Sequence, residues 1–219
     1  MTNPTPPSQR LPLPVMLIGL VLMVLGVLAA RYVLESRPQA LPADLSATYL
    51  QHGKPIIGLN LIDYNQQRFD ESRFKGKWTF MFFGYTNCPD VCPTTLLVMK
   101  SVWAKLPDEA KAAPSPQMVF VSVDPDRDTP QRLKSYVRFY HPDFLGVTGK
   151  ADQIDHLTRQ VGVLYGFDDD RTNKSYTVNH SAQIILVDPA GNERAVFSPP
   201  HKADDIVRSF VLIRNYYKG

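Results

Sequence analysis

The chain has 219 residues, with 24 basic and 21 acidic side chains, a formal net charge of +3 and two cysteines. Three arginines and one glutamate lie within residues 1–37, so the remainder carries a net charge of +1. A domain so close to neutral has no polyanion footprint, which argues against nucleic acid as a partner.

The length fits one domain plus an extra piece. That piece is LPLPVMLIGLVLMVLGVLAA, Leu11 to Ala30, which contains no charged residue and is bounded by Arg10 and Arg31. At about 1.5 Å rise per residue it spans about 30 Å, enough to cross a bilayer. A cleaved signal peptide has a shorter apolar core, about 7–15 residues, although Val27-Leu28-Ala29 could pass for a weak cleavage site. The stretch therefore reads as a single transmembrane anchor over 11–31, after a tail of residues 1–10. A short tail before a long domain is a signal-anchor layout, which puts the C-terminal domain on the outer side; the flanking basic residues nearly balance and do not decide orientation. Residues 32–50, with Pro38 and Pro42, read as a linker. Residues 51–219 read as the folded domain, large enough to bury a core.

Within that domain, Lys54 to Phe69 has strand alternation, then a polar turn and a second short strand. KWTFMFFGY, Lys77 to Tyr85, is a nearly unbroken apolar run, as expected of a central strand covered on both faces. From Cys92 to Leu106 the apolar residues Leu96, Met99, Val102, Trp103 and Leu106 recur at helical intervals. Gln117 to Asp124 is another buried-type strand. Thr129-Pro130 opens the next helix, a capping residue followed by proline at the first helical position. Ala151 to Gly166 reads as a further helix, Ala182 to Phe197 as a hairpin, and Ile206, Phe210, Ile213 and Tyr217 as one face of a terminal helix. The order implies an α/β fold with a mixed sheet.

Cys88 and Cys92 stand at the junction between the central strand and the first domain helix, in FFGYTNCPDVCPTTL. A helix starting just after Cys88 places that thiol at the positive end of the dipole and lowers its pKa. Cys92 is one turn on, on the same face, with Cβ atoms about 5–6 Å apart. A disulfide wants about 4 Å, reachable if the first turn relaxes; two sulfurs on one metal ion at about 2.3 Å need less adjustment. Buried structural cysteines are common, but a strand–helix junction flanked by prolines is not where they usually sit. The thiols are thus a redox pair or part of a metal site.

Five histidines could complete such a site. His52, His141, His156 and His201 read as surface residues. His180 precedes an apolar strand that should lie beside the cysteine-bearing one, which puts it at the same sheet edge. The residues alone leave its role open.

GYTNCPDVCP, VSVDPDRDTPQRL and VNHSAQIILVD, in that order, resemble the Sco/SenC family of membrane-anchored, thioredoxin-like proteins, from about Pro55 to the C-terminus. The resemblance implies a thioredoxin-like sheet flanked by helices and a copper site, Cu(I) or Cu(II), built from Cys88, Cys92 and His180. It also implies delivery of copper to the copper A site of cytochrome c oxidase, with the subunit bearing that site, other copper chaperones and thiol reductants as partners. The location implied is a membrane, with the domain on the periplasmic or intermembrane-space side. Where many relatives would have Asp before the histidine, this chain has Asn179. Thiolates suit Cu(I) and imidazole accepts both copper states; zinc with three protein ligands is the competing ion.

The alternative is a membrane-tethered thiol–disulfide oxidoreductase in which Cys88 attacks and Cys92 resolves. Against it, thioredoxin-type motifs have two residues between the cysteines and this one has three. Asn179, His180 and Ser181 also stand where a substrate-binding cis-proline is expected. A peroxidase of this fold would want threonine at Tyr85, and Thr86 is one step late. In DPDRDTP, Asp124, Asp126 and Asp128 imitate the start of an EF-hand, but Thr129 and Ser135 replace the required glycine and glutamate. That loop reads as a strand-end turn in which Asp128 or Thr129 caps the next helix, or as a partner-docking loop.

Overall fold

The computed structural model describes residues 13–35, 45–168 and 176–218. The expected tail 1–10, residues 11 and 12 of the expected anchor and residues 36–44 of the expected linker lie outside these. The chain divides into two compact units, Met1–Ala40 with Asn215–Gly219, and Leu41–Arg214.

The first unit contains α1, Leu13–Glu35, a helix of 23 residues. The expectation of a transmembrane helix finds no support here, since no helix among the described residues is long and apolar enough to cross a membrane. The expected linker 32–50 also shrinks at both ends. Tyr32 to Glu35 belong to α1, and Ala47 to Leu50 already belong to the first strand.

The second unit is built on an eight-stranded sheet in the order β1-β10-β9-β4-β5-β6-β2-β3. The strands are β1 (Ala47–Pro55), β2 (Leu61–Asp63), β3 (Arg68–Phe69), β4 (Lys77–Gly84), β5 (Ser115–Ser122), β6 (Leu145–Thr148), β9 (Ile184–Val187) and β10 (Asn192–Phe197). A separate two-stranded ribbon pairs β7 (Tyr165–Phe167) with β8 (Val178–His180). The helices are α2 (Val91–Lys105), α3 (Asp108–Lys111), α4 (Pro130–Tyr140), α5 (Ala151–Gln160) and α6 (Ala203–Lys218).

Strands β4, β5 and β6 run parallel, while β9 lies antiparallel on the other side of β4. This is the mixed sheet the element order implied, with the apolar run at its centre. Every residue of β4 from Trp78 to Gly84 is buried, so both faces are covered. On one face Trp78 and Phe80 meet Phe210 of α6, and Phe80 also meets Trp103 of α2. Phe82 packs on Phe120, which in turn meets Tyr136 of α4.

The parallel arrangement matters for the site. It brings the C-terminal ends of β4, β5 and β6, and the loops that leave them, to one edge of the sheet. The antiparallel β9 begins at that same edge, with Ile184 opposite Phe82.

One expected helix is shorter than read. α5 ends at Gln160 because Gly162 adopts φ +66°, a left-handed conformation that glycine tolerates and that closes helices. The Val163 N–H returns to the Thr158 carbonyl at 2.9 Å to seal the end. Tyr165 and Gly166, read as helix, are in β7 instead.

Candidate metal centre

The buried run of β4 stops at Gly84, and the chain turns through Thr86–Asp90 into α2. The expectation set Cys88 at the start of the helix. In the structure Asp90 is the N-cap residue, and its side chain makes no capping hydrogen bond. That task falls to Cys88, whose sulfur accepts the Cys92 N–H at 3.4 Å and satisfies a donor that the first turn would otherwise leave open. The thiol therefore lies against the positive end of α2, as the sequence implied, though from just outside the helix.

Cys88 is half-exposed and Cys92 is fully buried; both are free thiols. Their protonation differs accordingly. The Cys92 thiol, the His180 side chain and the Cys92 and Asp90 backbone N–H groups hold Cys88 down to about 3, overriding its partial burial. Burial and the neighbouring Cys88 sulfur push Cys92 up. The pair thus holds a thiolate at Cys88 and a thiol at Cys92.

Sequence reading missed the residue that makes room for this arrangement. A Cβ on Gly84 would lie 2.5 Å from the Cys92 sulfur and 3.0 Å from the Phe120 ring. Only a glycine at the end of β4 lets the sulfur rest on the strand. The glycine before Tyr85 was visible in the motif, but nothing local signals that a sulfur from the next helix packs on it.

His180 comes from the far side. It ends β8, and three residues later β9 pairs with β4, so the expected shared edge is observed. Its Nε2 lies 3.3 Å from the Cys92 sulfur. Its Nδ1 faces the Ser181 carbonyl at 3.2 Å. A carbonyl can only accept, so Nδ1 carries a proton there and Nε2 is the nitrogen turned toward the sulfurs. Phe82 and Tyr85 stand edge-on to the imidazole, each with ring centroids 6.0 Å away. Burial pushes the Tyr85 phenol up.

Asn179, adjacent to the histidine, is exposed and directs its amide to Asp168 at 3.4 Å. His52 is exposed in β1, His141 is the C-cap residue of α4, and His156 faces the Ile57 carbonyl at 3.0 Å. His201 lies deeper than expected: its Nε2 donates to the Ala182 carbonyl at 2.6 Å, and burial holds its pKa down.

In the acidic loop, Asp124 and Asp128 are buried and already committed to protein donors. Thr129, not Asp128, caps α4 by accepting the Arg132 N–H.

Cys88, Cys92 and His180 thus form a cluster whose ligand atoms all lie within 4.8 Å of one another, the one such group among the described residues. Donors each about 2.0–2.3 Å from a shared ion stand no more than about 4.6 Å apart, so the three have only to draw closer to share a metal. Two sulfurs and one imidazole favour a soft ion.

Known proteins resemble this chain. The family model described as SCO1/SenC matches residues 54–213. A Stutzerimonas stutzeri protein described as a candidate copper-binding protein is 37% identical over 169 residues, 77% of this chain and 81% of its own length. Protein SCO1 homolog 1, mitochondrial, of Arabidopsis thaliana is 34% identical over 169 residues, 76% of this chain. There the matched part spans 50% of the relative's length. The crystal structure of Arabidopsis thaliana ScoI with copper bound superposes with a TM-score of 0.67 at 32% identity, covering 75% of this chain and 99% of that one. The fold is the mixed α/β, thioredoxin-like fold of these structures, with helices flanking the sheet. With the motif order, the fold and a family match over most of its length in accord, the chain belongs to the SCO1/SenC family.

Proposed function

We propose that this chain is a copper metallochaperone. It takes up one copper ion through Cys88, Cys92 and His180 and delivers it to the copper A site of cytochrome c oxidase, whose copper A-bearing subunit is the partner. The observation that carries this reading is the convergence of two sulfurs and one imidazole nitrogen within 4.8 Å. Three donors leave a copper ion open to attack by an incoming ligand, which suits handover more than storage. The copper bound in the Arabidopsis relative supports the choice of ion. Cys88 is half-exposed while Cys92 is buried, so an acceptor's ligand meets the cargo from the Cys88 side. Other copper chaperones or thiol reductants load the site, since both thiols must be reduced to bind.

Residues 11–31 serve as the anchor in this reading, with the domain held on the periplasmic or intermembrane-space side. Its support is an uncharged Leu11–Ala30 segment and a helix whose described side chains from Leu17 to Tyr32 are all exposed.

A second reading has its own observation. The split between a thiolate at Cys88 and a protonated, buried Cys92 is the arrangement of an attacking and a resolving thiol. Cys88 would attack a partner disulfide and form a mixed disulfide while releasing one partner thiolate. Cys92 would then give up its proton and displace the second, leaving Cys88–Cys92 oxidised and the partner reduced by two electrons.

An anaerobic Cu(I) competition titration on the detergent-solubilised chain separates the two. One tight equivalent in the wild type, weakened at least about 10-fold (1.4 kcal/mol) in both His180→Ala and Cys88→Ser, is the chaperone result. Weak binding, or a His180→Ala variant indistinguishable from wild type, would sink the three-ligand site and leave the redox pair.

A further inference from the structure

Both halves of the donor cluster are tied to one turn that contributes no donor. Asp124 to Asp128 follow the end of β5 and close on themselves, with the Arg127 and Asp128 N–H groups donating to the Asp124 carbonyl at 3.2 and 3.0 Å.

On the cysteine side, Asp128 is 1% exposed. It accepts the Thr86 N–H at 3.0 Å, the Thr86 hydroxyl at 2.5 Å and the Ser122 hydroxyl at 2.6 Å. Thr86 stands two residues before Cys88. Arg132 reinforces the same loop by donating to the Thr86 hydroxyl at 2.7 Å and to the Asn87 side chain.

On the histidine side, Asp124 is fully buried. It accepts the Tyr176 phenol at 2.6 Å and pairs with Arg127 Nε. Arg127 Nη1 donates to the Tyr176 carbonyl at 2.8 Å. The guanidinium carbon lies 3.5 Å from the Tyr176 ring centroid and 5.5 Å from that of Tyr85. Tyr176 leads straight into β8, four residues before His180, and Tyr85 is edge-on to the histidine ring.

A plain strand-end turn requires none of this, because Thr129 alone caps α4. Burying two carboxylates and a guanidinium is costly unless each is fully partnered. Here Thr86 and Tyr176, from the segments that carry the donors, supply partners, together with Ser122 at the end of β5.

From this we propose that Arg127 is a positioning residue for His180: gripped by Asp124, and in turn holding Tyr176, it fixes the distance between β8 and the β4–α2 junction. The inference rests on the three-donor reading of the site. Without Arg127 the two thiols keep their places, since Gly84, α2 and Asp128 hold them. The segment before β8 loses its latch, and the site falls from three donors to two. Lysine cannot substitute, because an ammonium lacks the planar fork that reaches Asp124 and the Tyr176 carbonyl together while stacking on the ring.

The test uses the full chain in detergent, comparing wild type with Arg127→Ala, Arg127→Lys and the milder Tyr176→Phe, which removes only the phenol's bond to Asp124. In the metal-free protein, nitrogen-15 spectra of the imidazoles read the His180 tautomer directly. Wild type is expected to hold the proton on Nδ1. Both Arg127 variants are expected to shift toward the tautomer average of a free imidazole while the β4 and Cys92 amides stay in place, and Tyr176→Phe to shift part of the way. With Cu(I) as probe, Arg127→Ala is expected to weaken binding about 10-fold. The double variant Arg127→Ala/His180→Ala should bind no more weakly than His180→Ala alone, since the arginine acts through the histidine. Additive losses would overturn the proposal, as would an unchanged His180 signal in Arg127→Ala. Should Arg127→Ala fail to fold, an unchanged signal in both Tyr176→Phe and Arg127→Lys overturns it equally. Failure of the wild type to bind copper would remove the three-ligand reading, yet the metal-free spectra would still decide the role of Arg127.

Discussion

The two sides of the cluster are built differently. The cysteine side is the end of β4, a strand bonded to neighbours on both edges and buried on both faces, followed at once by a helix of 15 residues. The histidine side is a two-stranded ribbon of three-residue strands, whose members pair with each other and not with the main sheet. Isolated ribbons of this size have little stability of their own. Two donors are therefore fixed by the core, and the third by side-chain contacts that reach across the site. In the copper reading proposed above, such a division would let one ligand yield without disturbing the other two.

Three measurements break or sharpen that contrast. The largest effect concerns the thiols. A free cysteine gains thiolate about 1000-fold between pH 5 and 8. Alkylation of Cys88, held at about 3, should stay nearly flat over that range while Cys92 remains silent. A steep rise in rate would mean that Cys92 and His180 do not stabilise the thiolate. The same shift sets a sign for stability. The Cys88 pKa is depressed on folding, so the unfolded chain binds the extra proton between about 3 and the ordinary 9.0. Its contribution grows as pH rises through that window and is lost as pH falls toward 3. Cys92, shifted upward, acts only above the ordinary value, where it lowers stability as pH climbs further.

Next in size, Gly84→Ala attacks the fixed side. The added methyl must push the Cys92 sulfur or the Phe120 ring, so a loss of about 1–3 kcal/mol is expected in denaturant unfolding. Unchanged stability would show that the junction yields more easily than its packing implies. Smallest of all, Asn179→Asp changes the residue beside His180. The side chain is exposed and turned toward Asp168, so stability should move by no more than about 0.5 kcal/mol. A large gain in copper affinity would instead mean that the charge reaches the site.

Much of this was legible in the chain itself. The unbroken apolar run announced β4, and the proline-flanked cysteines at its end announced a reactive junction. His180 could be placed at the right edge from strand order, though its role as a donor came from resemblance to a family. What stayed hidden depends on contacts across long separations. Asp128 looked like a local cap, and only the folded chain reveals that it turns back 42 residues to Thr86. Gly84 looked like one more strand residue until a sulfur was found resting on it. The ribbon was concealed because Val161 and Leu164 continue the helical spacing of α5, while Gly162 overrides that pattern through a single backbone angle.

The placement of β4 also bears on how the protein breathes. Its amides are locked between β5 and β9 and shielded by both layers, so they open only when most of the domain unfolds. The β7–β8 ribbon, with one partner per strand, can detach at far lower cost. Partial opening thus exposes the imidazole first and leaves the sulfur pair seated on the last structure to melt. If the proposed copper reading holds, a transiently opened molecule would keep its ion on two ligands instead of spilling it, so a passing protease or acceptor would meet a site loosened but still loaded.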